Sequence, residues 1–94
     1  MKTEIPIIVG RVVCSKAGRD KGKIFIVVDL IDDNYVYLAD GVLRKLSSPK
    51  KKKIKHLAAK SDCVTNIREK LLEGKKVFDS EIRSALDGFG YLNK

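Results

Sequence analysis

Apolar residues change their spacing near residue 60, and that change divides the chain. Upstream, β-branched and aromatic residues come in short runs separated by Gly, Asp, Asn and Ser. Ile7 to Cys14, Ile24 to Ile31 and Tyr35 to Ala39 read as strands. Gly10, inside the first, marks a bend or a close backbone approach. Ser15 to Lys23 reads as a loop, because Gly18 and Gly22 take positive φ without steric cost. Asp32-Asp33-Asn34 and Asp40-Gly41 predict turns. Val42, Leu43 and Leu46 predict a fourth strand, which Ser47-Ser48-Pro49 ends, and Ile54 and Leu57 predict a short closing one. Ile24 to Ile31 is apolar on both alternating faces over most of its length. A sheet with one solvated face alternates instead. The pattern therefore predicts a small five-stranded barrel, or a strand covered on its outer side by helices.

Downstream the period is helical. Cys63, Val64, Ile67, Leu71 and Leu72 fall on one helix face, with Ser61 or Asp62 to cap its start and Gly74 suited to the C′ position. Phe78, Ile82, Ala85, Leu86 and Phe89 form a second such face, with Asp79 or Ser80 as its cap and Gly88 at its end. The expected helices are Cys63 to Glu73 and Ser80 to Asp87. Both are short and need a surface to pack on. The expectation is one domain, mainly β with a helical tail. Residues 1–60 form the barrel, including a basic segment at 44–60. Residues 61–94 form the tail packed against it.

Charge adds a second asymmetry. The chain carries 20 Lys+Arg against 12 Asp+Glu, for a formal net charge of +8. Eight of the cations lie between Arg44 and Lys60, a segment without an acid, and without those eight the chain is balanced at 12 against 12. Concentrated positive charge attracts polyanions and releases their counterions on contact, so nucleic acid is the first partner to consider. The competing reading is a solvated basic loop.

Two groups of candidate phosphate contacts follow. Lys16, Arg19, Lys21 and Lys23 surround the backbone of Gly18 and Gly22. Arg44, Lys45, Lys50, Lys51, Lys52, Lys53 and Lys55 lie in the basic segment. Arg19 and Arg44 suit an oriented contact, since their planar forks bind in a fixed geometry, whereas lysine acts as a point charge. Tyr35 and Tyr37, two apart, share one strand face. Stacking on bases is one use for them; covering the core is the commoner one.

Other chemistry finds little support. Acids are scattered over turns and helix surfaces, and GRDKGK lacks P-loop spacing. His56 is the only histidine. Cys14 and Cys63 lie far apart and read as reduced core residues. No enzyme, metal or cofactor is expected. No apolar run approaches the ~20 residues of a membrane span, and MKTEIPII lacks a signal-peptide core. A cytoplasmic protein without membrane contact is expected.

The residues Val9-Gly10-Arg11-Val12-Val13, then Gly18-Arg19-Asp20-Lys21-Gly22-Lys23, then Val27-Val28 resemble a KOW motif. The continuation Val28 to Val36 with Asp40-Gly41 is similar to large-subunit ribosomal proteins of the fourteen-e type. The short chain, the Lys50 to Leu57 segment and the tail look closer to small bacterial KOW-domain RNA-binding proteins. The resemblance covers roughly residues 7–57. It implies an SH3-like barrel that binds RNA, most often ribosomal RNA, with Lys16 to Lys23 as the motif's loop and Gly22 as its glycine. Some KOW domains bind protein instead, which keeps a module of the transcription or translation machinery as the alternative. A nonspecific basic nucleic-acid chaperone is a third class. The chain lacks the long basic C-terminal extension of the longer ribosomal proteins.

Overall fold

The computed structural model describes residues 5–91. Residues 1–4 and 92–94, the outer ends of the two expected units, lie outside the described residues. Five strands make one antiparallel sheet: β1 (Arg11–Ser15), β2 (Ile24–Leu30), β3 (Tyr35–Ala39), β4 (Lys50–Lys53) and β5 (Leu57–Cys63). Their order is β4-β3-β2-β1-β5. The first four form a meander, and the fifth returns beside the first. β4 and β5 are the two edges, with no ladder between them. A 3-10 turn at Ile54–His56 joins them at one corner. Two helices follow, α1 (Thr65–Leu72) and α2 (Asp79–Gly88).

Strand alternation sorts the apolar residues into two cores. Val13, Phe25, Val27, Val36 and Leu38 are buried on one face with Leu57. Val12 and Ile26 point the other way, against Val64, Ile67, Ile82 and Leu86. β2 is therefore apolar on both sides because helices cover its outer face. Burying one such side chain contributes about 1.5–3 kcal/mol, so the helices, too short to persist alone, depend on this contact.

Two glycines let the tail approach the sheet. Gly10 has φ 91°, and a Cβ there would lie 2.8 Å from the Cβ of Arg68. Its carbonyl accepts the Val64 N–H at 2.9 Å, while Arg68 Nη1 donates to the Val9 carbonyl at 3.0 Å. Gly41 has φ 79°, and a Cβ there would lie 2.5 Å from the Asp79 carbonyl oxygen. Arg83 Nη1 donates to the Gly41 carbonyl at 2.8 Å.

The helix ends depart from expectation by a residue or two. β5 continues to Cys63, opposite Arg11, so α1 starts later than predicted. Asp62 is no cap; it accepts the Tyr91 hydroxyl proton at 2.8 Å. That bond to a carboxylate, together with burial, pushes the tyrosine pKa up. Phe78 precedes α2, and its N–H donates to Glu81 Oε2 at 2.9 Å. Asp79 is not the cap either, because its Oδ1 accepts the Leu46 N–H at 2.7 Å. Gly74 takes the left-handed C′ role as predicted, and Gly90 takes it for α2 in place of Gly88.

The predicted fourth strand at Val42 to Leu46 is absent, and the lysine run itself forms β4. Asp40 decides this. Its buried carboxylate accepts the Val42 N–H at 2.8 Å and the Arg44 N–H at 2.9 Å, which curls the backbone out of extension. The chain reaches β3 only at Lys50–Lys53, beyond the expected 42–46 segment, pairing Tyr35 with Lys53 and Leu38 with Lys50. Lysine has low strand propensity. At a sheet edge it is nonetheless favoured, because it discourages the addition of further strands.

Candidate nucleic-acid interface

The loop from Lys16 to Lys23 connects β1 to β2. A 3-10 turn at Gly18–Asp20 folds it back, with Gly18 at φ 76° and Gly22 at φ 87°. The Gly22 N–H donates to the Ser15 carbonyl at 2.8 Å and the Lys23 N–H to the Asp20 carbonyl at 2.8 Å, closing the loop at its base. Lys16, Arg19, Lys21 and Lys23 are all exposed. Asp20, the single acid among them, is buried.

Asp20 receives a cation from a distant part of the sequence. Lys50 Nζ lies 2.9 Å from its Oδ2. This ion pair with Lys50 holds the carboxyl below its ordinary pKa, against the opposing effect of burial, and the charges of Lys52 and Lys23 add to it. Lys52 also reaches the loop, donating to the Ala17 carbonyl at 3.1 Å. The two cationic segments therefore meet.

β4 divides its lysines by alternation. Lys50 and Lys52 pair with Leu38 and Val36 and turn toward the loop. Lys51 and Lys53 pair with Tyr37 and Tyr35, on the opposite side of the strand. Lys51 Nζ lies 4.7 Å from the centre of the Tyr35 ring and Lys53 Nζ 6.0 Å from it, both cation–π contacts.

The other predicted cations take less uniform positions. Arg44 is half-buried and shares a pocket with Asp20, Lys23, Asp40 and the exposed Leu43, which brings it to the loop. Lys45 is exposed on the connection leading to β4. Lys55 is exposed on the 3-10 turn and shares a second groove with Lys16. The two are held close because the Lys16 N–H donates to the His56 carbonyl at 2.8 Å. His56 lies half-buried in that turn.

The arginines of β1 and the helices are occupied elsewhere. Arg11 donates from Nε to the Pro6 carbonyl at 3.0 Å and from Nη1 to the Ser61 carbonyl at 3.0 Å. Arg68 and Arg83 fasten the tail, as described above. Cys14 and Cys63 are free thiols and half-buried, so they lie at the margin of the cores and not within them. Among the described residues, no group of three or more His, Cys, Asp or Glu could hold a metal. Among the same residues, no helix is long and apolar enough to cross a membrane.

Such an arrangement can bind phosphate. Several ammonium groups and two guanidinium groups stand around a loop whose glycines leave backbone open to close approach. Nothing in it supplies a base beside a nucleophile. Two parts of the arrangement were not foreseen from sequence: Asp20 as an anchor and Tyr35 as a seat for cations. The signal for the first was a lone acid within a cationic loop; for the second, two tyrosines at strand spacing. No protein-family model matches the chain. The KOW resemblance thus rests on the residues quoted for it.

Proposed function

We propose that this chain is a KOW-type RNA-binding protein that contacts structured RNA, ribosomal RNA first among the candidates, through the face formed by the 16–23 loop, Arg44 and β4. One observation carries the reading: Lys50 at 2.9 Å from Asp20 and Lys52 at 3.1 Å from the Ala17 carbonyl merge two cationic segments that are separate in sequence. A solvated basic loop would not be drawn in to another cationic loop in this way. The SH3-like barrel is the finer reading of the sheet. The return of β5 beside β1 and the 3-10 turn between β4 and β5 support it.

A titration of folded ribosomal RNA at several salt concentrations tests the function. About five phosphate contacts give a slope of log affinity against log salt of roughly −3 to −5. Replacing exposed Lys16, Lys21 and Lys23 by Gln flattens it by about 2–3 units. A slope near zero, or an unchanged slope in the variant, sinks the reading. Equal affinity for bulk RNA points to the nonspecific chaperone instead.

A second reading, a KOW module that binds a protein of the transcription or translation machinery, draws on the Asp40 turn. That turn leaves Val42 49% and Leu43 72% exposed beside Arg44. An apolar contact there depends only weakly on salt.

A further inference from the structure

The outer face of the sheet is covered unevenly. Helices cover Val12 and Ile26, and next to Ile26 on β3 stands buried Ala39. Further along the same face of β3 come Tyr37 and Tyr35, both half-exposed and outside that helix-covered core. A register shift between Val27 and Asp29 sets Asp29 opposite Tyr37. Lys51 completes that row on the other side, and Tyr35 and Lys53 form the next. The uncovered part of this face is thus a strip of two aromatic rings, with Lys51 and Lys53 on one side and Asp29 beside Tyr37 on the other. Residues two apart on a strand repeat at about 6.6 Å, yet both ammonium groups converge on one ring, with Lys51 Nζ 4.7 Å and Lys53 Nζ 6.0 Å from the centre of Tyr35.

From this juxtaposition we infer that Tyr35, with Lys51 and Lys53, forms a stacking subsite for an unpaired nucleotide at the edge of a structured RNA. The inference rests on the RNA reading above and adds the state of the bound strand to it. The occupant needs a flat π face and adjoining negative charge. A base with its own phosphates has both, whereas an apolar protein surface would leave Lys51 and Lys53 without partners. Lys51 now covers the ring at 4.7 Å. An exposed cation–π contact is weaker than base stacking, so an arriving base displaces the ammonium, which then turns to the phosphate. The 16–23 loop holds duplex backbone by charge alone. The Tyr35 strip holds the single-stranded segment next to it.

The experiment compares three probes with the full chain: an eight-nucleotide uridine oligomer, the same-length abasic sugar-phosphate strand, and a short RNA duplex. Wild type binds the uridine oligomer about 5- to 100-fold more tightly than the abasic strand of equal charge. Tyr35→Leu loses that ratio and keeps both the salt slope and the duplex affinity. Tyr35→Trp retains the ratio. Titrating the uridine oligomer into the unaltered chain moves the Tyr35 ring protons upfield in the NMR spectrum, a readout that needs no variant. Equal affinity for the uridine and abasic strands, with a steep salt slope, overturns the stacking subsite and leaves the RNA reading standing. Failure of all three probes to bind overturns both.

Discussion

The helix-covered part of the sheet and its cationic edge use positive charge in opposite ways. Arg68 and Arg83, on the helices, donate to the Val9 and Gly41 carbonyls at 3.0 and 2.8 Å, and Arg11, on β1, donates to the Pro6 and Ser61 carbonyls at 3.0 Å. Their charge is spent on joining segments, and their planar forks suit fixed acceptors. At the edge, lysines predominate: Lys50 and Lys52 reach the 16–23 loop, while Lys51 and Lys53 lie over the exposed side of Tyr35. Net charge counts both sets alike, so it says little about which cations a polyanion can reach. The difference lies in the partner: a carbonyl on a neighbouring element marks a strut, and open solvent leaves the charge accessible.

The sharpest way to break this comparison is at its glycines. Gly41→Val forces a β-branched residue to φ 79° and drives its Cβ to 2.5 Å from the Asp79 carbonyl. It should cost more than about 3 kcal/mol, or prevent folding. Gly22→Val meets the same φ problem, but no heavy atom lies within 4 Å of its Cβ. It should cost only about 1–2 kcal/mol. Chemical denaturation of both variants measures the gap, and equal losses would mean that the Gly41 seam does not hold the tail.

The lysine strand offers the next test. Lys51 and Lys53 replaced together by Gln should flatten the salt slope of RNA binding by about 1–2 units with no change in melting temperature. Replacing Lys50 and Lys52 instead should lower the melting temperature as well, because Asp20 is then buried without its cation. Identical melting curves for the two pairs would erase the distinction between strut and accessible charge within β4.

Acid probes the same contact. The native Asp20 pKa lies below its ordinary value. Its stabilising contribution is therefore complete above the unfolded carboxyl pKa of about 3.9 and is lost as pH falls through the lower native value. Asp20→Asn should be less stable than wild type at neutral pH. That deficit should shrink as pH falls below about 4. Urea midpoints at several pH values check it; a deficit constant with pH would assign Asp20 a packing role only.

The smallest expected effect is at Arg83. Arg83→Met keeps the apolar stem and removes the donor to Gly41, at a cost of about 1 kcal/mol. An unchanged melting temperature would show that backbone packing alone closes that seam.

Much of the fold was legible in the sequence because alternation and helical period are local signals. β2 and β3, the two helices, and the Gly10, Gly22 and Gly74 backbone positions all followed from such signals. The fourth strand did not. Val42, Leu43 and Leu46 have better strand propensity than four lysines, yet the Asp40 carboxylate captured two of the N–H groups that a ladder would need. That competition between a side-chain acceptor and a partner strand depends on burial, which no local pattern contains. The candidate site divides in the same way. The identities of its cations were plain from charge, whereas the Asp20 anchor and the Tyr35 strip needed strand register to appear.

The return of β5 beside β1 has a consequence for how the chain acquires its structure. β1, β2 and β3 are joined in series by short connections and can assemble early from near neighbours. β5 must instead close a long loop to reach β1. The tail is later still, since Arg68 and Val9 meet across 59 positions. Until that closure, Val12 and Ile26 are without their helical cover, and an intermediate stopped there would be sticky and aggregation-prone. The sequence separation of these contacts predicts that the tail docks last. Substitutions in α1 and α2 should mainly accelerate unfolding and leave the folding rate nearly unchanged.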